Sequence, residues 1–164
     1  MEMICIKPKK VVTIMKNFVN NIDEYTYTFR KDGNFSVVLY EHPDLWEDGT
    51  FYLNYCFDEL SELTPFRRVW CPQYPMLKGF ATITLALLHE VGHVETRKEM
   101  YDYTFGKRQD DMEELKENRE ILKYFLLPDE RAATEWAINW LSNSENRKIA
   151  KKFEKEFFKC FKRE

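Results

Sequence analysis

The chain has 164 residues, a formal net charge of −3, 44% apolar and 16% aromatic residues. That content supplies a core for one domain and excludes a disordered chain. The charge balance argues against a general polyanion binder, and with no segment near the roughly 20 apolar residues of a spanning helix, no membrane partner is expected.

Val11, Val12, Met15, Phe18, Val19 and Ile22 recur at three- and four-residue spacing, which predicts an amphipathic helix over about 9–21. The run YTYTFR, the turn KDGN and the run FSVVLY read as a hairpin, and FYLNYCF as a third strand. TPFRRVWCPQYP carries three prolines and is read as irregular or a short edge strand. Residues 78–95 read as one buried helix, and QDDMEELKENREILKYFLL as another whose acidic part faces solvent. Pro128 and Asp129 suit the first turn of a helix carrying ERAATEWAINWL. Asn143 or Ser144 caps a last helix, with Ile149, Phe153, Phe157 and Phe161 on one face.

The expected architecture is a single α+β domain over 1–164. A small antiparallel sheet at about 25–76 packs on a helix at about 77–95, and the C-terminal half is helical, with helices at about 129–142 and 145–162. The four cysteines, Cys5, Cys56, Cys71 and Cys160, are scattered without a close pair. Reduced, buried thiols and a cytoplasmic protein fit that usage better than a disulfide framework. The start, MEMICIKPKK, lacks the pattern of a secretory signal.

Two of the three histidines lie in LLHEVGHV, as His89-Glu90-Val91-Gly92-His93. Residues i and i+4 of a helix share a face, so this HExxH places two imidazoles where one Zn²⁺ can bind both. Glu90 lies beside the metal rather than on it. It can take a proton from a metal-activated water and pass it to a leaving amine. A chance pattern on a buried helix is disfavoured, because two imidazoles in an apolar helix need a partner.

Zinc requires a third protein ligand. Thr96 and Glu99 stand where a metzincin has glycine and histidine, and Cys71 in VWCPQYP does not match a deformylase. His42 lies in a turn and reads as a surface residue. Glu95 is too close on the same helix. Glu130 is favoured, since Ala133, Ala137 and Leu141 follow at i+3, i+7 and i+11 and let its helix approach closely. Glu135 lies about 140° around that helix. Asp129 reads as a cap or dipole partner.

HEVGH followed by ERAATEWA resembles the ImmA/IrrE-type zinc metallopeptidases, gluzincin-like enzymes with HExxH and then E-x-x-A-[ND]-x-F-A. Glu130, Ala133, Trp136 and Ala137 fall on that second motif. Thr134 stands where the family has Asn or Asp, which puts in question a hydrogen bond to a ligating histidine. The resemblance spans about 77–141. It implies a zincin-like α+β fold in which the helices at about 77–95 and 129–142 bind zinc, and zinc-dependent cleavage of a protein or peptide substrate, such as a repressor or other regulator of a mobile element. No helix-turn-helix is visible.

Tyr101 and Tyr103 follow the zinc helix and are candidates to stabilise an oxyanion. The lysines of the last helix, from Lys148 to Lys162, are interrupted by Glu145, Glu154 and Glu156. A solvated face is favoured there over nucleic-acid contact. The alternative to an enzyme is a metal-containing binding or regulatory module, an anti-repressor or immunity partner.

Overall fold

A computed structural model describes residues 3–20, 26–31, 35–40, 50–55 and 70–163. His42, Cys56 and Ile22 lie outside the described residues, as do positions 32–34 of the KDGN turn and 64–69 of the irregular segment.

Helix α1 (Pro8–Asn20) buries Val11, Met15, Phe18 and Val19 of the expected stripe, with Ile14 beside them. A 3-10 turn, Pro75–Gly79, leads into α2 (Thr82–Glu95). Helix α3 is Arg97–Thr104 and α4 is Arg108–Glu117. A second 3-10 segment, Ile121–Leu126, precedes α5 (Pro128–Ser142), and α6 is Ser144–Phe158.

Helix α2 is apolar around most of its circumference and lies inside the molecule, with Ile83, Leu85, Leu87, Leu88, Val91 and Val94 buried. Its most extensive partner is α5. Helix α6 packs on α1, where the Phe18 and Phe153 rings stack at 4.3 Å. Side chains of α1, α2, α5 and α6 join in one core cluster.

The α+β fold class is therefore corrected: the molecule is mostly helical. A strand pair closes the helical body where β1 (Met3–Cys5) meets β5 (Phe161–Arg163) antiparallel. Strands β2 (Thr26–Lys31), β3 (Phe35–Tyr40) and β4 (Thr50–Tyr55) form a short antiparallel ladder, Lys31 opposite Phe35 and Tyr40 opposite Thr50. Strand β4 touches α2, but the main packing of this helix is against α5, because an all-round apolar helix docks closely on a small-residue neighbour.

Three boundaries also differ from expectation. The helix read over 78–95 is interrupted at Phe80 and Ala81, which take extended backbone. The helix read over 109–127 breaks after Glu117, with Arg119 at φ 55°. The last helix ends at Phe158 rather than near 162, and the chain then extends into β5.

The break before α2 has a long-range cause. Helix α2 has no capping side chain of its own, since Ala81 holds the N-cap position. Glu154 of α6 takes that role: its Oε1 accepts from the Ala81 amide and, at 2.8 Å, from the Thr84 hydroxyl. A carboxylate there satisfies orphan donors and complements the helix dipole. Lys151 binds the Gly79 carbonyl, pairs with Glu154 and lies 4.6 Å from the Phe80 ring centre. These two charges of the last helix thus hold the start of α2.

Candidate metal centre

His89 and His93 project from one face of α2, their rings nearly perpendicular with centroids 4.7 Å apart. The opposite wall is the first turn of α5. Its small residues set the distance. Gly92 lies against the backbone of Ala133, and a Cβ at Gly92 would come within 2.3 Å of the Ala133 carbonyl oxygen. The two helices touch backbone to backbone there, and Glu130, one turn before Ala133, is brought onto the histidines.

Glu130 is only 2% exposed. Its Oε2 lies 2.7 Å from His89 Nε2 and 3.1 Å from His93 Nε2. Single ligand atoms from His89, His93 and Glu130 all fall within 4.8 Å of one another, so this buried group could hold a metal ion. Two imidazole nitrogens and a carboxylate oxygen suit zinc and several other divalent transition ions. With metal–ligand bonds of about 2.0–2.1 Å, tetrahedral ligand atoms stand roughly 3.4 Å apart. The distances from Glu130 Oε2 to the two imidazole nitrogens, 2.7 and 3.1 Å, have to widen by about 0.7 and 0.3 Å, which side-chain torsions can supply.

Thr134 supports His89 from behind. Its Oγ1 lies 2.9 Å from His89 Nδ1 and is fully buried. The residue that departs from the family pattern therefore still reaches the imidazole, fixing the ring and leaving Nε2 to face Glu130. Phe125 packs at 6.2 Å from the His89 ring.

The electrostatics follow from burial and pairing. Burial opposes the Glu130 charge, but its hydrogen bonds with His89 and His93 and their charges prevail, holding the carboxyl well below the usual range. Burial likewise works against charging His93. Its bond to Glu130, with the Glu130, Glu90 and Asp129 charges, outweighs this and raises it to about 9. Glu90 shifts the other way from Glu130: burial raises its pKa, His93 and His89 offset this in part, and Glu130 adds to it. A carboxyl raised by burial holds a proton more readily than an ordinary carboxylate does.

Asp129 does not cap the helix, since the N-cap position falls on Leu127. It is buried, accepts the Glu130 amide at Oδ1 and pairs with Arg108 through Oδ2. Glu135 is exposed and pairs with Arg131. Tyr101 is 52% exposed and packs on Phe105. Tyr103 donates its hydroxyl to Asp111 at 2.9 Å. The tyrosine that the structure brings toward Glu130 is Tyr124, whose hydroxyl accepts from Arg108 Nη2 at 3.1 Å.

Arg108 and Tyr124 are the site residues that sequence reasoning missed. One signal was present: a cation at the head of a helix, where the dipole disfavours it. A buried carboxylate explains its position. Comparisons with protein-family models, with curated proteins and with solved structures find no match to this chain.

Proposed function

We propose that the protein is a zinc-dependent endopeptidase of the ImmA/IrrE type. His89, His93 and Glu130 hold the ion, and Glu90 is the proton carrier. The observation that carries this reading is the convergence of three ligand atoms from two helices within 4.8 Å. In the HExxH register, Glu90 adjoins the first of them. A bound zinc ion would supply Lewis acidity, polarising a peptide carbonyl and acidifying a water. Glu90 accepts that water's proton on its carboxylate and delivers it to the leaving amine nitrogen. Thr134 holds the His89 ring in the orientation that presents Nε2.

The substrate in this reading is a protein or peptide, with a repressor or regulator of a mobile element as the first candidate. Among the described residues no helix is long and apolar enough to cross a membrane. Buried free thiols at Cys71 and Cys160 fit work in the reducing cytoplasm.

A second reading is favoured by the burial of the cluster. His89 is 5% exposed and Glu130 2%, as in a closed structural metal site. The protein would then be a binding or regulatory module with a metal that only stabilises it.

The experiment is metal content per chain after extensive dialysis, in wild type, His93→Ala and Glu130→Ala, followed by peptidase assays of Glu90→Gln. About one zinc in wild type, lost in both ligand variants, is expected. Glu90→Gln should keep the zinc and lose on the order of 10²–10⁴-fold in hydrolysis. Full biological function in Glu90→Gln would select the binding module. No metal in wild type, even after zinc is added, would overturn both readings.

A further inference from the structure

The two oxygens of Glu130 have different partners. Oε2 faces both histidines, whereas Oε1 accepts from Arg108 Nη2 at 3.0 Å. Arg108 is itself held from three sides. Its Nε donates to Asp129 Oδ2 at 2.5 Å, and its Nη2 also reaches the Tyr124 hydroxyl at 3.1 Å. Its guanidinium carbon lies 5.6 Å from the centre of the Tyr124 ring. Asp129 is held in turn by the amide of Glu130. One planar fork thus joins the head of α4, the second 3-10 segment and the first turn of α5.

We propose that Arg108 is the positioning residue of the metal centre: by occupying Oε1 it makes Glu130 a one-oxygen ligand and so leaves a coordination place open for substrate or water. This rests on the metal-binding reading of His89, His93 and Glu130. A carboxylate held by a single contact can swing and offer both oxygens to an ion, whereas one gripped by a rigid guanidinium cannot. A zinc site that reacts needs three protein donors and a vacant place, and a two-oxygen carboxylate would crowd it. Asp129 offsets the charge of Arg108, so the fork can stand beside a cation without strongly repelling it.

A salt bridge that only staples helices would also hold these elements together. The two roles differ in what they do to the ion. The test uses full-length wild type, Arg108→Met, Arg108→Lys and Tyr124→Phe. Each is loaded with cobalt(II) for visible spectra and titrated with zinc against a chromophoric chelator, with circular dichroism as the folding control. Wild type should show the intense visible bands of four-coordinate cobalt. Arg108→Met should bind zinc about 10–100-fold more weakly, and its cobalt bands should fade as the coordination number rises. Arg108→Lys replaces the fork with one point donor and should fall between. Tyr124→Phe removes only the hydroxyl and should stay closest to wild type.

Wild-type affinity and bands in a folded Arg108→Met would overturn the proposal and leave the metal site standing. Should Arg108→Met not fold, Arg108→Lys decides on the same two readouts. A wild type that binds neither ion would instead sink the metal reading, and the role of Arg108 with it.

Discussion

At Glu130 a single carboxylate oxygen serves two imidazoles, and this ties the site to pH. His93, raised to about 9 by its bond to Glu130 against the effect of burial, carries a proton at neutral pH when only protein groups surround it. A metal ion has to displace that proton. Zinc affinity should therefore rise about tenfold per pH unit, the slope of one proton, and level off above pH 9. Calorimetry at pH 7.5 in buffers of different ionisation enthalpy should report about one proton released per ion; none released would mean that His93 is neutral and the pairing is wrong. Stability of the metal-free protein follows the opposite course. The His93 contribution is complete below the unfolded value near 6.5 and is lost as pH rises through 9. The Glu130 contribution is present above the ordinary carboxylate range and is lost as pH falls through its depressed value. At this scale the sequence was readable where function imposes a spacing. His89 and His93 follow from i and i+4, and Glu130 from the alanines after it. Arg108 showed only its unfavourable place at the head of a helix; its partners Tyr124, Asp129 and Glu130 are brought to it by a chain reversal that no local pattern encodes.

Between elements, the contact of α2 with α5 decides whether the ligands meet. Alanine at an ordinary helix position is better than glycine by about 1 kcal/mol. Gly92 should invert that preference, because its Cβ would meet the Ala133 carbonyl oxygen at 2.3 Å, and that oxygen belongs to a helix backbone that cannot turn aside. Gly92→Ala is expected to cost about 1–3 kcal/mol, as overpacking does, and to weaken zinc binding by separating Glu130 from the histidines. Thermal melts and zinc titration check both; a variant more stable than wild type with unchanged affinity would remove the close crossing from the account. The same interface explains which boundaries could be read. Helix α5 announces itself with Pro128 at its start and small residues along one face. Helix α2 has no local start signal, since its cap is Glu154, 73 residues from Ala81. A reading by local periodicity ran the helix through Phe80 for that reason. Lys151 and Glu154 looked like part of a solvated stripe and instead hold the helix that carries the histidines.

For the whole molecule, the β-prone runs before residue 56 suggest an α+β fold, whereas the described residues are mostly helical, with α5 the main neighbour of α2 and β4 a lesser one. Periodicity within each element was visible in the sequence, but the choice of partner was not. Leu85, Leu87, Leu88 and Val91 could bury against a sheet or a helix equally well by composition. What decides the closest approach is the small-residue face of α5, while Phe153 and Phe157 of α6 belong to the same core cluster. Because α1, α2, α5 and α6 share one core cluster, the metal site should gain and lose order with the fold as a unit. Zinc at 100 times its dissociation constant should then stabilise the protein by about 2.7 kcal/mol. Phe157→Ala empties a fully buried position on α6, apart from the ligand residues, and should cost about 3–5 kcal/mol. Melting with and without zinc separates the two contributions. Phe157→Ala should melt earlier yet keep the same zinc increment, whereas His93→Ala should keep most of its stability and lose the increment. A Phe157→Ala protein that stays folded but no longer gains from zinc would show that α6 shapes the site directly. The route for that is the one already visible in the structure, from Glu154 through Ala81 and Thr84 into α2.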